Sequence, residues 1–93
     1  MRKLRDDVVL EKVSGVHLLV ALRSAWGECP FVMQIAPFAA FFWKAMRDGL
    51  SDDQVIDLFS REMNRDQEKA QRAFAYFIKA AEANHYLLPE DET

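Results

Sequence analysis

Few residues of this 93-residue chain have the types and spacing that catalysis or metal binding needs. The two histidines, His17 and His85, are far apart, and neither has the His-x3-His spacing of a metal site. We interpret His17 as an exposed strand residue and His85 as a helix-end residue. The single cysteine, Cys29, has no basic neighbour that would activate its thiol. We therefore predict no catalytic residue, no metal site and no cofactor, and we interpret the chain as a protein that is not an enzyme.

Composition limits the classes that remain. The net charge of −3 argues against a nucleic-acid binder, which usually carries a basic surplus. With one cysteine there is no disulfide within the chain, which fits a reducing compartment, and we expect a cytoplasmic protein. We expect no secretory signal, because the acidic pair Asp6-Asp7 follows the basic start where a signal needs apolar residues. We expect no membrane span either, because no apolar run reaches the ~20 residues that a span needs.

The first part of the chain has the pattern of a small sheet. Two apolar runs, residues 8–13 and 16–21, flank Ser14-Gly15, which suits a two-residue hairpin turn that needs positive φ. A third run, residues 30–35, begins with Pro30, and a proline fits the first residue of a strand. These runs predict three antiparallel strands, with residues 23–29 as a loop.

The second part has the pattern of three helices. The first starts near Ala36 and ends at Asp48-Gly49, where glycine suits the left-handed cap. Residues 51–54 form a capping box for the second helix, and Asn64-Arg65 breaks the chain before a third helix over about 66–84. Strands followed by helices predict one α+β domain over residues 1–93, of winged helix-turn-helix type, with flexible ends at 1–7 and 89–93.

The order and spacing of several motifs resemble the PqqD-like family, the RiPP recognition elements of peptide natural-product pathways. The motifs are the opening hairpin over residues 7–20, Phe42-Trp43 in the first helix, the run 48–56 that enters the second helix, and Phe77-Ile78, Ala81 and residues 85–87 at the end. The chain departs from the family at residues 34–37, at Ala81 and His85, and in the loop 23–29. The resemblance covers roughly residues 7–88.

The resemblance implies a function and a set of partners. Such domains bind the leader segment of a ribosomally made precursor peptide, which adds as a strand to the edge of the third strand beside the third helix. They deliver the peptide to a modifying enzyme such as a radical-SAM protein, a cyclodehydratase or a leader peptidase. By resemblance we therefore expect a non-catalytic module that captures a leader peptide.

The residues themselves are compatible with strand addition. The run Phe31–Ile35 has no proline, so every N–H in it could donate, and it has no lysine of the kind that blunts an exposed edge. The predicted peptide site comprises Phe31, Val32, Met33, Gln34, Ile35, Arg72, Tyr76, Lys79 and Ala83. In it Arg72 and Lys79 would pair with acidic side chains of the peptide. Alternatively, Phe31, Met33 and Ile35 face the core, Tyr76 is a half-buried packing residue, and the two cations only face solvent.

Two other functions stay open at this point. A helix-turn-helix pair could bind DNA, but acidic residues interrupt the basic residues of the third helix, and the hairpin holds only Lys12 as a cation. An unblunted edge strand could also pair with a copy of itself, which would give a self-associating scaffold or a homodimer.

Overall fold

The computed structural model describes residues 3–88. Three strands, β1 (Val8–Val13), β2 (Val16–Ala21) and β3 (Val32–Ile35), form one antiparallel sheet in the order β1-β2-β3. Ser14 and Gly15 make the predicted hairpin turn with φ values of 52° and 80°. The third strand starts two residues later than predicted, because the chain is still bending at Phe31. Since β2 is central, β1 and β3 are both edge strands.

Three helices follow the sheet as predicted: α1 (Pro37–Arg47), α2 (Asp52–Glu62) and α3 (Gln67–Ala83). The capping box of α2 is formed, with the Gln54 N–H donating to Ser51 Oγ (3.3 Å) and the Ser51 N–H donating to Gln54 Oε1 (2.9 Å). Asp66 caps α3 by accepting from the Lys69 N–H at 2.8 Å. The predicted α+β fold of three strands and three helices is confirmed.

The core joins the helices to one face of the sheet. Phe42 of α1 is fully buried at its centre, and its ring lies 4.5 Å from that of Phe59, 5.3 Å from Phe74 and 5.5 Å from Phe77. On the sheet side the buried residues include Val8 and Leu19. This packing fixes α3 next to the sheet and so determines which helix face lies beside β3.

The segment before β1 contacts the other end of the described chain. Leu4 is buried and forms an isolated bridge with Leu87, and the Arg5 N–H donates to the Tyr86 carbonyl at 2.9 Å. The Leu88 N–H also donates to the Lys3 carbonyl, so residues 3–5 are held against the end of the described chain, with the Leu4 side chain in the core. The expectations for residues 1, 2 and 89–93 lie outside the described residues.

His17 is not the exposed strand residue that the sequence suggested. It shares the helix-facing side of β2 with the buried Leu19, and it is half-buried. Its Nδ1 atom is buried with no hydrogen-bond partner in the described part of the chain. His85 does end a helix: it follows the C-cap Asn84 with a φ of 63° and is exposed.

Candidate functional site

The free edge of β3 offers a specific set of backbone groups. The Ala21 N–H donates to the Phe31 carbonyl at 2.9 Å, and Leu19 lies opposite Met33. Since backbone direction alternates along an antiparallel strand, Phe31, Met33 and Ile35 turn their backbone groups toward β2. Val32 and Gln34 turn theirs outward, where within residues 3–88 no strand pairs with them. The expectation that every N–H of this run could donate is therefore wrong: two residues, not five, present donors.

A shallow apolar groove lies between β3 and α3, on the helix-facing side of the strand. Met33 and Ile35 form one wall, and Tyr76, Phe77, Ala80, Ala81 and Asn84 of α3 form the other, with Leu19, Phe38, Ala39 and Tyr86 completing the lining. The groove is open to solvent and has a volume of about 70 Å³. It is therefore a floor on which a chain could lie, with its side chains resting on the alanines of α3, rather than a pocket that would enclose a small molecule.

Tyr86 anchors the floor of this groove. Its hydroxyl lies 3.7 Å from Met33 Sδ, and its ring packs edge-to-face on Trp43 with centroids 5.6 Å apart. Burial raises the pKa of Tyr86 to about 12, so the phenol is neutral at physiological pH. Met33 is thus held by a neutral donor from below, while its thioether stays adaptable toward a ligand above.

The groove continues into a second hollow that carries positive charge. This hollow has a volume of about 270 Å³ and is lined by Phe38, Phe59, Arg65, Lys69, Ala73 and Tyr76. Phe38 and Tyr76 also line the first groove, so the two are continuous. The arrangement is an apolar path beside an open strand edge that ends at two cations.

This fold occurs in two solved structures of similar proteins. One is described as TbiB1 in complex with the TbiA(beta) leader peptide; it has 17% sequence identity and a TM-score of 0.76, covering 97% of this chain and 99% of that one. The other is described as lasso peptide synthetase B1 complexed with the leader peptide, with 22% identity and a TM-score of 0.75, covering 95% of this chain and 98% of that one. The chain has the fold of these two proteins. No protein-family model and no curated protein matches the sequence.

The structure brings together six of the nine predicted site residues. Met33, Ile35 and Tyr76 line the groove, Val32 and Gln34 form its open edge, and Phe31 lies just before it. Tyr76 is 70% exposed, so it is a surface residue rather than a half-buried packing residue. Met33 and Ile35 do pack against the core while also facing the groove, so the core-facing alternative is correct for these two and does not remove them from the site.

The other three predicted residues lie away from the groove. Arg72 is paired with Glu68 at 3.1 Å on the exposed face of α3. Lys79 lines a separate hollow with Asp52 and Glu82, and Ala83 is exposed on the last turn without lining the groove. The expected pairing of Arg72 and Lys79 with a ligand in the groove is therefore not supported by their positions.

The cations that do border the groove were missed. Lys69 lies seven residues before Tyr76, two turns along the same helix face, and Arg65 precedes the helix. Counting from Tyr76 in steps of three and four gives Ala73 and Ala80, which line the path, but it also gives Arg72 and Lys79, which do not. Helical spacing alone therefore does not distinguish Lys69 from Arg72 and Lys79, and the packing of α3 is needed to do so.

The opposite edge of the sheet is different. Arg47 of α1 reaches over the start of β1 and donates to the carbonyls of Val8 (3.0 Å) and Arg5 (2.7 Å). Its guanidinium also lies 5.5 Å from the Trp43 ring centroid. Charged residues Glu11 and Lys12 follow along the strand. The edge of β1 is thus partly covered and charged, and β3 is the edge better suited to accept another strand.

Cys29 and possible metal ligands are the other residues whose types could do chemistry. Cys29 is a free thiol that donates to the His85 carbonyl at 3.3 Å, and burial raises its pKa. Within residues 3–88, no group of three or more His, Cys, Asp or Glu residues could hold a metal ion. The same part of the chain contains no helix that is long and apolar enough to cross a bilayer.

Proposed function

We propose that this chain binds an extended peptide, which adds as a fourth strand to the free edge of β3 and lies over the groove between β3 and α3. The observation that carries the proposal is the position of the outward backbone groups of Val32 and Gln34 directly beside an apolar floor. Strand addition needs both elements, because main-chain hydrogen bonds supply affinity and side-chain contacts supply selectivity.

The peptide is, in this proposal, the leader segment of a ribosomally made precursor. Both proteins that share the fold are described in complex with a leader peptide, and the sequence motifs resemble RiPP recognition elements. The chain would then act as a non-catalytic module that presents the precursor to a modifying enzyme. A radical-SAM protein, a cyclodehydratase or a leader peptidase would fit that role. The free Cys29 thiol is consistent with action in the cytoplasm.

The sheet favours one direction for the bound peptide. Every strand pair in it is antiparallel, and antiparallel pairing is slightly more stable per residue than parallel pairing. A peptide antiparallel to β3 has its N-terminal part near Ile35 and the basic hollow. Arg65 and Lys69 would therefore contact acidic side chains in the N-terminal part of the leader, in place of Arg72 and Lys79.

The test is an amide chemical-shift and hydrogen-exchange map of the ¹⁵N-labelled chain. The ligands are the TbiA leader peptide and peptides recovered from a random display library, with a duplex DNA as control. We expect peptide-dependent shifts along β3 and α3, and slowed exchange of the Val32 and Gln34 amides because they become donors to the peptide. Peptide binding that leaves both amides unprotected contradicts strand addition.

The same titrations separate the alternatives. A DNA complex with six to ten phosphate contacts loses about 10³–10⁵ in affinity between about 50 and 200 mM salt, whereas strand addition over an apolar floor depends far less on salt. Self-pairing through β3 would protect the Val32 and Gln34 amides in a concentration-dependent way without peptide, and sedimentation velocity would detect the dimer.

A further inference from the structure

Two aromatic side chains are exposed together just before β3. Trp26 is 51% exposed and Phe31 is 63% exposed. Their rings meet edge-to-face, with centroids 5.3 Å apart and an interplanar angle of 72°. Large aromatic side chains that are rigid and half exposed are typical anchors of binding interfaces. Neither ring belongs to the buried core.

The loop holds the pair in place without a ligand. The Trp26 indole N–H donates to the Ala21 carbonyl at 3.1 Å, and the Arg23 guanidinium carbon lies 5.8 Å from the indole centroid. Ser24 Oγ donates to Asp7 at 2.8 Å, which ties the loop to the segment before β1. Because these contacts order the indole in the free protein, a ligand would lose little affinity to the ordering of this site.

The pair lies where backbone pairing with a peptide must weaken. Pro30, two residues before Val32 and outside β3, has no N–H to donate. A peptide that follows the edge beyond Val32 therefore loses its next donor there. A side-chain contact at this point would hold the peptide where the hydrogen-bond ladder stops.

Strand alternation defines which peptide residue arrives at the pair. Phe31 continues the register of Met33 and Ile35, because its carbonyl accepts from the Ala21 N–H. Side chains on the groove side of an added strand would therefore lie opposite these three residues. In an antiparallel complex, the peptide residue opposite Phe31 comes three residues after the one opposite Gln34, on the C-terminal side. The domain would thus contact the side chain of every second peptide residue, first at Ile35, then at Met33 and finally at the aromatic pair.

We propose that Trp26 and Phe31 form a separate contact site that takes one apolar or aromatic side chain of the peptide, C-terminal to its hydrogen-bonded segment. This inference rests on the proposed peptide binding by β3. It assigns a role to a loop whose sequence departs from the family that the chain resembles. It also predicts that the site determines where the peptide leaves the domain toward the enzyme that modifies it.

The test compares peptide affinity among matched variants of the full chain. The probes are the TbiA leader peptide and the display-selected peptides. We expect Trp26→Ala to weaken binding about 10-fold or more, which is the range of interface anchors, and Trp26→Phe to restore much of the loss. Met63→Ala is the control, since Met63 is also an exposed apolar residue but lies at the end of α2. It should leave the affinity unchanged within about twofold.

A second readout needs no substitution. The chain has two tryptophans, and Trp43 is buried, so acrylamide quenching reports mainly on Trp26. Saturating peptide should lower the quenchable fraction. An alanine scan of the peptide should then show one position whose substitution weakens the wild type but adds nothing to the loss in Trp26→Ala, as expected for two groups that touch.

The outcomes separate this inference from the proposal beneath it. If a peptide protects the Gln34 amide while Trp26→Ala binds it like the wild type, the aromatic site is refuted and strand addition stands. If Trp26→Ala weakens binding but no single peptide position couples to it, the loop acts only indirectly and the site is also refuted. If no probe protects the Gln34 amide, both proposals fail.

Discussion

Replacing Gln34 by proline is the most direct perturbation of the proposed strand pairing. Gln34 turns its N–H outward from β3, so Gln34→Pro removes one donor to the peptide without removing a bond to β2. One net backbone hydrogen bond contributes about 1 kcal/mol. The proline ring also projects toward the position of the peptide backbone and should hold the added strand away, which we expect to cost about as much again. A total of about 2 kcal/mol corresponds to roughly 30-fold weaker binding.

The assay pairs binding with stability. Peptide affinity is measured by fluorescence anisotropy of a labelled peptide, and stability by urea denaturation. Edge strands tolerate proline when the lost N–H faces solvent, so Gln34→Pro should stay folded. Gln34→Ala keeps the N–H and should bind within about twofold of the wild type. Met33→Pro is the opposite control, because its N–H faces β2 and its loss should destabilise the fold by about 1–3 kcal/mol.

One pattern of results would refute the reasoning. If Gln34→Pro remains folded and binds the peptide as tightly as Gln34→Ala, the Gln34 N–H does not contact the peptide. The peptide would then have to bind through side-chain contacts in the groove, without pairing to the edge of β3.

Three further predictions concern charge, pH and the core. Lys69→Glu should weaken an acidic leader about fivefold in calorimetric titration, whereas Lys79→Glu, a matched reversal outside the groove, should leave the affinity unchanged. Hydrogen bonds from Arg5 and Ser24 lower the pKa of Asp7 to about 2, so its contribution to folding stability is present above about pH 4 and is lost as pH falls toward 2. Over this interval the urea midpoint of Asp7→Asn should change less than that of the wild type. An equal change would contradict the pairing of Asp7 with Arg5. Phe42→Ala should lower the free energy of unfolding by about 3–5 kcal/mol in urea denaturation, because the ring is fully buried among other aromatic rings.

Much of the fold could be predicted because its signals are local. The Ser14-Gly15 turn, the capping box at Ser51 and the glycine after α1 each depend on a few neighbouring residues, and the structure has all three. The order of strands and helices then follows from hydrophobic periodicity. The packing of Leu4 could not be predicted in this way, since it depends on a partner, Leu87, at the other end of the chain.

The site was less predictable because it depends on how elements meet. Alternation showed that Met33 and Gln34 face opposite ways, but only the pairing with β2 shows which backbone groups stay free. Likewise, the sequence places Lys69 and Lys79 on one helix with equal charge. Only the packing of α3 against the core shows that Lys69 borders the groove. Trp26 was missed because a loop has no periodicity that would indicate the position of its side chains.

The arginine that covers the start of β1 has a consequence for stoichiometry. Arg47 occupies the Val8 carbonyl on one side of the sheet, while Val32 and Gln34 stay open on the other. A sheet with two open edges can add strands without limit and grow into a fibre, and the partly covered, charged edge of β1 opposes such growth. Each copy should therefore bind one peptide, and association between copies through β3 should end at a dimer that has no edge left for the peptide.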